Sequence, residues 1–470
     1  MCCGSAGKYS IIYVPAVCSC CFRKSLIYRY PIGYFTFSNT PTLPFPSFLL
    51  YYEPKIVNGG NRMFKRWQTE KVQHLLSCRR GVNLTGARQV GKSTLTEMLD
   101  LPNAKRWSLD DDDICKAAAD DANGFVKHTP NETIIIDEIQ KVPRLLNSIK
   151  MVVDRDNSKG QYLLTGSANL RFAKMVKDSL AGRLGVVRLR PLAFGEVNGC
   201  GPDFLDVAFK RGFEGLDFTG LGKRDVLRLA FAGGYPEARE LSAADRQEWF
   251  KTYLDDLLTK DIQDITEIRK VETLRKVAVS LIAHTAQFIA VNELSAKAEL
   301  AKATLQNYIA ALKALYLFDA VPAWGKSDYE LIGKREKFFA TDSALVANIL
   351  RWDEDSAYID ENQNGKLVET WVYNQLSAIA ETSLDYSISH YRDSCKREID
   401  FIVERSDEAM LGIEVKAGST LGKDDFKHLK WFSANLAKGK PFTGIVLYSG
   451  DHTLRFGAGF YAVPLAALGA

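Results

Sequence analysis

Gly81-Val-Asn-Leu-Thr-Gly-Ala-Arg-Gln-Val-Gly-Lys-Ser-Thr-Leu95 runs from an apolar strand through a glycine-bounded loop into a helix. Val82 and Leu84, ending at Gly86, read as the strand; Leu95, Met98 and Leu99, closed by Pro102, have helical spacing. Gly86, Gly91, Lys92 and Ser93 fit G-x-x-x-x-G-K-[ST]. Such a loop, here Gly86, Ala87, Arg88, Gln89, Val90, Gly91, Lys92, Ser93 and Thr94, turns backbone N–H groups onto phosphates. Lys92 reaches the β- and γ-phosphates and Ser93 ligates Mg²⁺, so ATP with Mg²⁺ is the expected cofactor.

Downstream, strand patterns recur at Lys105–Leu109, Thr133-Ile-Ile-Ile-Asp137, Gln161-Tyr-Leu-Leu-Thr165 and Gly185–Leu189. Strands alternating with helices predict an α/β domain with a parallel sheet covered on both faces. Asp137, at the end of a buried strand on the expected neighbour of the P-loop strand, is assigned to the metal. Glu138 is assigned as the base that orients or deprotonates the attacking water. The competing reading is that both acids only open the next helix, at its positive dipole end. Thr165 or Ser167, at the tip of a further strand, is placed to sense the γ-phosphate.

The remainder divides by pattern. Residues 195–222, rich in Gly and Phe, read as an irregular excursion, and Asp225 to about Thr285 as helical. Asn292 to Phe318 gives two short helices with Leu305, Ile309 and Leu312 on one stripe, followed by Val321-Pro-Ala-Trp324; this resembles a helix-turn-helix with a wing. The last region mixes helix (Leu367–Ala380) and strand (Ile399–Val403, Leu411–Val415). Expected boundaries are 63–222 for the P-loop domain, 223–335 for a helical lid and winged-helix segment, and 336–470 for the C-terminal domain.

Residues 1–62 stand apart. Six cations, Lys8, Arg23, Lys24, Arg29, Lys55 and Arg62, face the single acid Glu53, so the formal +4 of the chain is concentrated there. The global charge therefore gives no argument for nucleic acid. Five of nine cysteines lie in the same stretch without the spacing or histidines of a zinc site, and Pro15 interrupts its apolar run as a signal peptide would not. The segment is expected to be non-native or disordered, with Met63 the biological start; a peptide from residues 1–62 in the natural protein would end that idea. The other four cysteines are scattered as in a reduced, cytoplasmic protein, no run is long enough for a membrane span, and the six histidines have no metal-ligand spacing.

At Gly86–Ser93, Ile136-Asp-Glu-Ile-Gln140 with Val142-Pro143, Leu164-Thr-Gly-Ser167, Ser179-Leu-Ala-Gly-Arg183, Pro191-Leu192 and Gly233-Gly-Tyr-Pro-Glu237, the chain resembles prokaryotic AAA+ ATPases. The resemblance is to a group in which the ATPase precedes a winged helix and a DUF4143-type, restriction-endonuclease-like domain. It covers nearly everything after Met63. It implies that Arg183 contacts the γ-phosphate, in cis or from a neighbouring subunit of a homo-oligomer, with an ordinary surface arginine as the alternative.

Glu398-Ile-Asp400 and Glu414-Val-Lys416 form a second candidate site. Alternation puts Glu414 and Lys416 on one face, and Asp400 on the adjacent strand completes a pair of acids for Mg²⁺. Glu369 joins them from the apolar stripe of the preceding helix, where an inward carboxylate needs a partner or a metal. Together these resemble a metal-dependent nuclease core; a salt bridge from Lys416 to either acid explains the pattern without chemistry. Lys297, Lys302, Thr304, Gln306, Asn307 and Lys313 near the expected recognition helix make DNA a candidate partner. The functional expectation is an ATPase coupled to a nuclease-like domain acting on or near DNA. Its alternative is a nucleotide-controlled switch that signals to a protein partner and cleaves nothing.

Overall fold

The computed structural model describes residues 63–127, 129–166, 176, 180–213, 221–261, 271–331 and 333–469, without the side chains of residues 260, 261, 328 and 329. The expectations for residues 1–62 and Ser167 lie outside these.

Five strands form the first sheet: β1 (Gly81–Gly86), β2 (Ala104–Ser108), β3 (Thr133–Asp137), β4 (Tyr162–Thr165) and β5 (Leu184–Leu189). All pairings are parallel, in the order β2-β3-β4-β1-β5. Alternate residues enter opposite cores: Ile134, Ile136 and Leu164 pack with Ile149 and Val153, while Val82, Leu84, Ile135 and Leu163 face the other way. Strands wetted on neither face read as unbroken apolar runs, which is why Ile134-Ile-Ile136 was legible. One expectation is corrected: β3 does not neighbour the P-loop strand, because the chain returns from β3 to insert β4 between them.

The excursion at 195–222 is also corrected over its described part. Phe194–Asn198 and Phe204–Phe209 are short helices, and Phe204, Leu205 and Ala208 are buried. Aromatic anchors rather than long periodicity hold them, so a helical repeat had no room to show.

Helices follow at Lys223–Ala232, Pro236–Glu240, Ala243–Asp256 and Val271–Ala283. Then β6 (Gln287–Phe288), helices Val291–Lys297 and Lys302–Ala314, β7 (Phe318–Val321) and β8 (Lys337–Ala340) build a three-stranded antiparallel sheet ordered β6-β8-β7. Leu305, Ile309 and Leu312 are buried, as their stripe predicts. The expected boundary at 335/336 cuts this sheet, since β8 pairs with β7 from Val321↔Lys337 to Phe318↔Ala340. The following helix Ser343–Ile349 belongs to the same body, with the Ser343 hydroxyl donating to the Ala230 carbonyl at 2.8 Å.

The last sheet contains β9 (Tyr386–Arg392), β10 (Glu398–Arg405), β11 (Met410–Lys416), β12 (Phe442–Tyr448), β13 (Leu454–Gly457) and β14 (Phe460–Pro464). Its order is β13-β14-β12-β11-β10-β9, parallel at β11–β12 and β12–β14 and antiparallel elsewhere. Helix Glu361–Ala380 covers one face through Leu367, Val368, Val372 and Leu376, and helix Lys427–Asn435 covers the other through Leu429 and Phe432. Among the described residues no helix is long and apolar enough to cross a membrane.

Polar clamps join these parts. Asp319 on β7 receives Arg188 of β5 at 2.9 Å, Arg190 just beyond that strand at 2.8 Å, and the Tyr373 hydroxyl of helix Glu361–Ala380 at 2.9 Å. Arg190 is buried and Asp319 nearly so; although burial opposes its charge, the two guanidiniums hold the Asp319 carboxyl well below the usual range. The Phe194 N–H donates to Gln375 Oε1 at 2.7 Å, and Arg211 donates to the Phe442 carbonyl at 2.9 Å.

Candidate functional site

The loop after β1 needs its glycines. Gly86 has φ 148° and a Cβ there would lie 2.3 Å from the Leu189 carbonyl oxygen of β5; Gly91 has φ 92° and starts the helix Lys92–Met98 in left-handed geometry. Gln89, between them, also adopts positive φ. Lys92 is buried and its Nζ donates to the loop carbonyls of Gly86 at 3.1 Å and Ala87 at 2.7 Å. Those are bonds that phosphate oxygens within the loop would replace.

The acids meet this loop at the carboxyl edge of the sheet. Ser93 Oγ donates to Asp137 Oδ2 at 2.7 Å, and the Thr165 hydroxyl donates to the other Asp137 oxygen. The intervening β4 is what makes this possible: it carries Thr165 between the P-loop strand and Asp137, a placement the sequence alone did not reveal. Glu138 sits at positive φ (54°), its N–H donates to Thr165 Oγ1 at 3.4 Å, and its carboxylate accepts from Gln140. Ser93, Thr165, Asp137 and Glu138 thus form one connected set at the mouth of the loop. A hydroxyl and a carboxylate 2.7 Å apart are the donor pair that an octahedral Mg²⁺ with phosphate and water ligands uses.

Arg66 was not foreseen. It is 5% exposed, pairs with buried Glu196 at 3.0 Å, and donates to the Val90 carbonyl at 2.7 Å and the Arg190 carbonyl at 2.6 Å. Glu196 is itself fixed by the Trp67 and Ala193 N–H groups at 2.8 and 2.9 Å. A buried pair with all these bonds made braces the outer side of the phosphate loop. No local spacing signals it, because its partners are 24 to 130 residues away.

Arg183 lies elsewhere. It directly precedes Leu184, which pairs with Gly81 at the start of β1, whereas the loop follows Gly86 at the far end of that strand. Six residues at ~3.3 Å each separate them by roughly 20 Å. Contact with the γ-phosphate in cis is therefore excluded. Arg183 instead forms a fork with Asp154, Nε at 2.5 Å and Nη2 at 3.0 Å, and is partly exposed.

The second candidate site is brought together, with an addition. β10 and β11 are antiparallel neighbours, Phe401↔Ile413, so Asp400 and Glu414 stand side by side with Glu369 above them on helix Glu361–Ala380. At their centre is Lys337 from β8, 2% exposed, its Nζ 2.6 Å from Glu369 Oε1, 3.1 Å from Glu398 Oε1 and 3.1 Å from Asp400 Oδ1. Burial opposes the Lys337 charge, but Glu369, Asp400 and Glu398 outweigh it and hold its pKa above the ordinary lysine value. Burial, with the neighbouring Asp400 charge, pushes Glu369 up to about 8, and burial raises Glu414 well above the carboxylate range. Lys416 turns toward Asp425 at 3.9 Å rather than bridging Asp400 or Glu414. Among the described residues no group of three or more His, Cys, Asp or Glu is disposed to hold a metal ion. Lys337 opens its strand directly after Lys334-Arg335-Glu336, so nothing local marks this cation as the buried one.

Comparison with known proteins assigns the parts. Residues 79–198 match the AAA domain family, 223–356 a domain of unknown function (DUF8612), and 364–468 a domain of unknown function (DUF4143). An uncharacterized protein of Mycobacterium tuberculosis, Rv2008c, is 25% identical over 388 residues, 82% of this chain and 79% of that one. An uncharacterized protein of Methanocaldococcus jannaschii, MJ1544, is 26% identical over 187 residues, 38% of this chain and 40% of that one. Among solved structures, the Walker-type ATPase paby2304 of Pyrococcus abyssi has a TM-score of 0.38 at 16% identity, covering 64% of this chain and 99% of that one. A point variant of RuvB from Thermotoga maritima has a TM-score of 0.24 at 17% identity, covering 54% and 88%. Residues 79–198 thus match an AAA domain, and residues 364–468 a DUF4143 domain.

Proposed function

We propose that this AAA-type protein is a Mg²⁺-dependent ATPase whose nucleotide state is read by the C-terminal domain through the clamp on Asp319. One observation carries the hydrolytic reading: Ser93 and Thr165, from two separate segments, both donate to the Asp137 carboxylate beside the loop, with Glu138 next in chain. Lys92 would hold the β- and γ-phosphates, and Ser93 with Asp137 would hold the metal. The metal supplies charge stabilisation on the transferred phosphoryl group. Glu138 orients the attacking water and Thr165 reports on the γ-phosphate side of the site. Arg183 acts only from a neighbouring subunit, so full turnover requires a homo-oligomer.

The segment from Val271 to Ala340, with its helices and β6-β8-β7 sheet, supports a winged-helix reading. For the C-terminal domain the non-cleaving switch is favoured over a nuclease acting on DNA, because Lys337 already neutralises the carboxylates a metal would need. ATP turnover with and without DNA, and plasmid cleavage with Mg²⁺ or Mn²⁺, test both on wild type, Lys92→Ala and Asp400→Ala. The ATPase reading is lost if Lys92→Ala turns over ATP like wild type. The switch reading is lost if wild type cleaves plasmid and Asp400→Ala does not.

A further inference from the structure

Four carboxylates, Glu369, Glu398, Asp400 and Glu414, converge at the junction of helix Glu361–Ala380 with β10 and β11. One oxygen from each of the first three faces Lys337 Nζ at 2.6 to 3.1 Å. The ammonium donates hydrogen bonds to Glu398 Oε1 and Asp400 Oδ1 at 3.1 Å each and pairs with Glu369 Oε1 at 2.6 Å, so one cation serves three carboxylates. Mg²⁺ would draw the same oxygens to about 2.0–2.1 Å. The remaining contacts belong to the protein. Asp400 Oδ2 accepts from the Val415 N–H at 2.9 Å, Arg392 lies 3.6 Å from Glu398 Oε2, and Lys416 is directed to Asp425. The lysine comes from β8, in the sheet of the preceding domain, held in register by Val321↔Lys337 and Phe288↔Lys337.

We propose that Lys337 is the resident cation of this cluster: its ammonium holds the place of a divalent metal ion, and removing it turns the carboxylates into a divalent-cation site. Glu369 and Asp400 are largely buried and Glu398 partly so, and carboxylates packed this closely call for a cation or for protons. The fold meets that need with a side chain borrowed from the neighbouring domain, so the cluster is complete without a metal only while β8 is docked. The inference is independent of ATP hydrolysis and deepens the non-cleaving reading of the C-terminal domain.

The test is Mn²⁺ titration by calorimetry on the full chain without nucleotide, in an Asp137→Asn background that removes the P-loop metal ligand. Wild type at position 337 should show no binding that depends on Asp400. Lys337→Met should gain Mn²⁺ affinity by more than about tenfold, and Lys337→Met with Asp400→Asn should lose it again. Because Lys337→Met leaves buried acids unpaired, its thermal unfolding is followed with and without Mn²⁺, beside a Lys337→Met, Glu369→Gln, Asp400→Asn variant that needs no cation. Melting that rises with Mn²⁺ in the single variant and not in the triple variant supports the proposal. Asp400-dependent Mn²⁺ binding to the wild-type cluster overturns it, as does a Lys337→Met protein that stays indifferent to Mn²⁺ or stays unfolded in its presence while the triple variant folds. Asp400-dependent plasmid cleavage by wild type would overturn this proposal and the switch reading together; indifference of Lys337→Met to Mn²⁺ overturns this one alone.

Discussion

Arg66 does for the phosphate loop what the loop cannot do for itself. The glycines permit the turn, but the Val90 carbonyl is fixed by a guanidinium anchored on buried Glu196. Replacing Arg66 by Ala strands a buried carboxylate, and denaturant unfolding should show a loss of about 3–5 kcal/mol. ATP affinity should fall in the same variant. Glu138→Gln should leave ATP affinity intact while lowering kcat by about 10²–10⁴-fold, as removal of a general base does; equilibrium nucleotide binding beside steady-state turnover separates the two effects. A third residue gives the protein a pH signature. Asp342 is 2% exposed and accepts from the N–H groups of Gly234, Ala344 and Leu345 at 2.6, 2.9 and 3.3 Å. Burial nonetheless pushes its pKa up to about 6, against these bonds and nearby Arg239. A folded value above the unfolded one means the native state binds the extra proton, so stability falls as pH rises from about 4 to 6, by about 3 kcal/mol in total. Asp342→Asn should flatten urea midpoints across that window; an unchanged slope would assign it to another group.

Among elements, the ones legible in the sequence are those whose reasons are local. β1 and β3 announce themselves by apolar runs that end in a glycine or an acid, and the long helix Glu361–Ala380 by its buried stripe. What hid was pairing. Nothing in Thr133–Asp137 says that β4 will lie between it and β1, nor in Lys337–Ala340 that it completes a sheet begun 50 residues earlier at β6. The boundary placed at 335/336 failed for that reason. The candidate sites divide the same way: the loop and its acids could be read from spacing, while Arg66 and Lys337 could not, because each is defined by partners distant in sequence. The clamp on β7 gives this level its prediction. Asp319→Ala leaves Arg190 buried without its closest acid and should cost about 3–5 kcal/mol by chemical denaturation. Tyr373→Phe, which removes only the hydroxyl donated to Asp319, should cost about 0.5–1.5 kcal/mol.

For the whole molecule, the placement of Arg183 opposite the loop decides how copies would have to cooperate. A side chain at the amino edge of one sheet reaches a phosphate only if copies stack head to tail, a heterologous contact that closes into a ring or continues as a filament. Lys92→Ala and Arg183→Ala should each turn over ATP poorly alone, yet an equimolar mixture should recover about a quarter of wild-type turnover, the fraction of sites pairing an intact loop with an intact arginine under random mixing. A mixture no better than its parts would make Arg183 a surface residue bound to Asp154. The clamp on Asp319 has a different consequence at this scale. Arg188 and Arg190 lie within the AAA-matched segment, Asp319 in the next, and Tyr373 in the last. A gene that traded one of these segments for a relative's would bring together halves of a buried charge set that had not changed in step. Such hybrids begin with a stability deficit, so the three segments are expected to be inherited as a block and to vary together at these four positions.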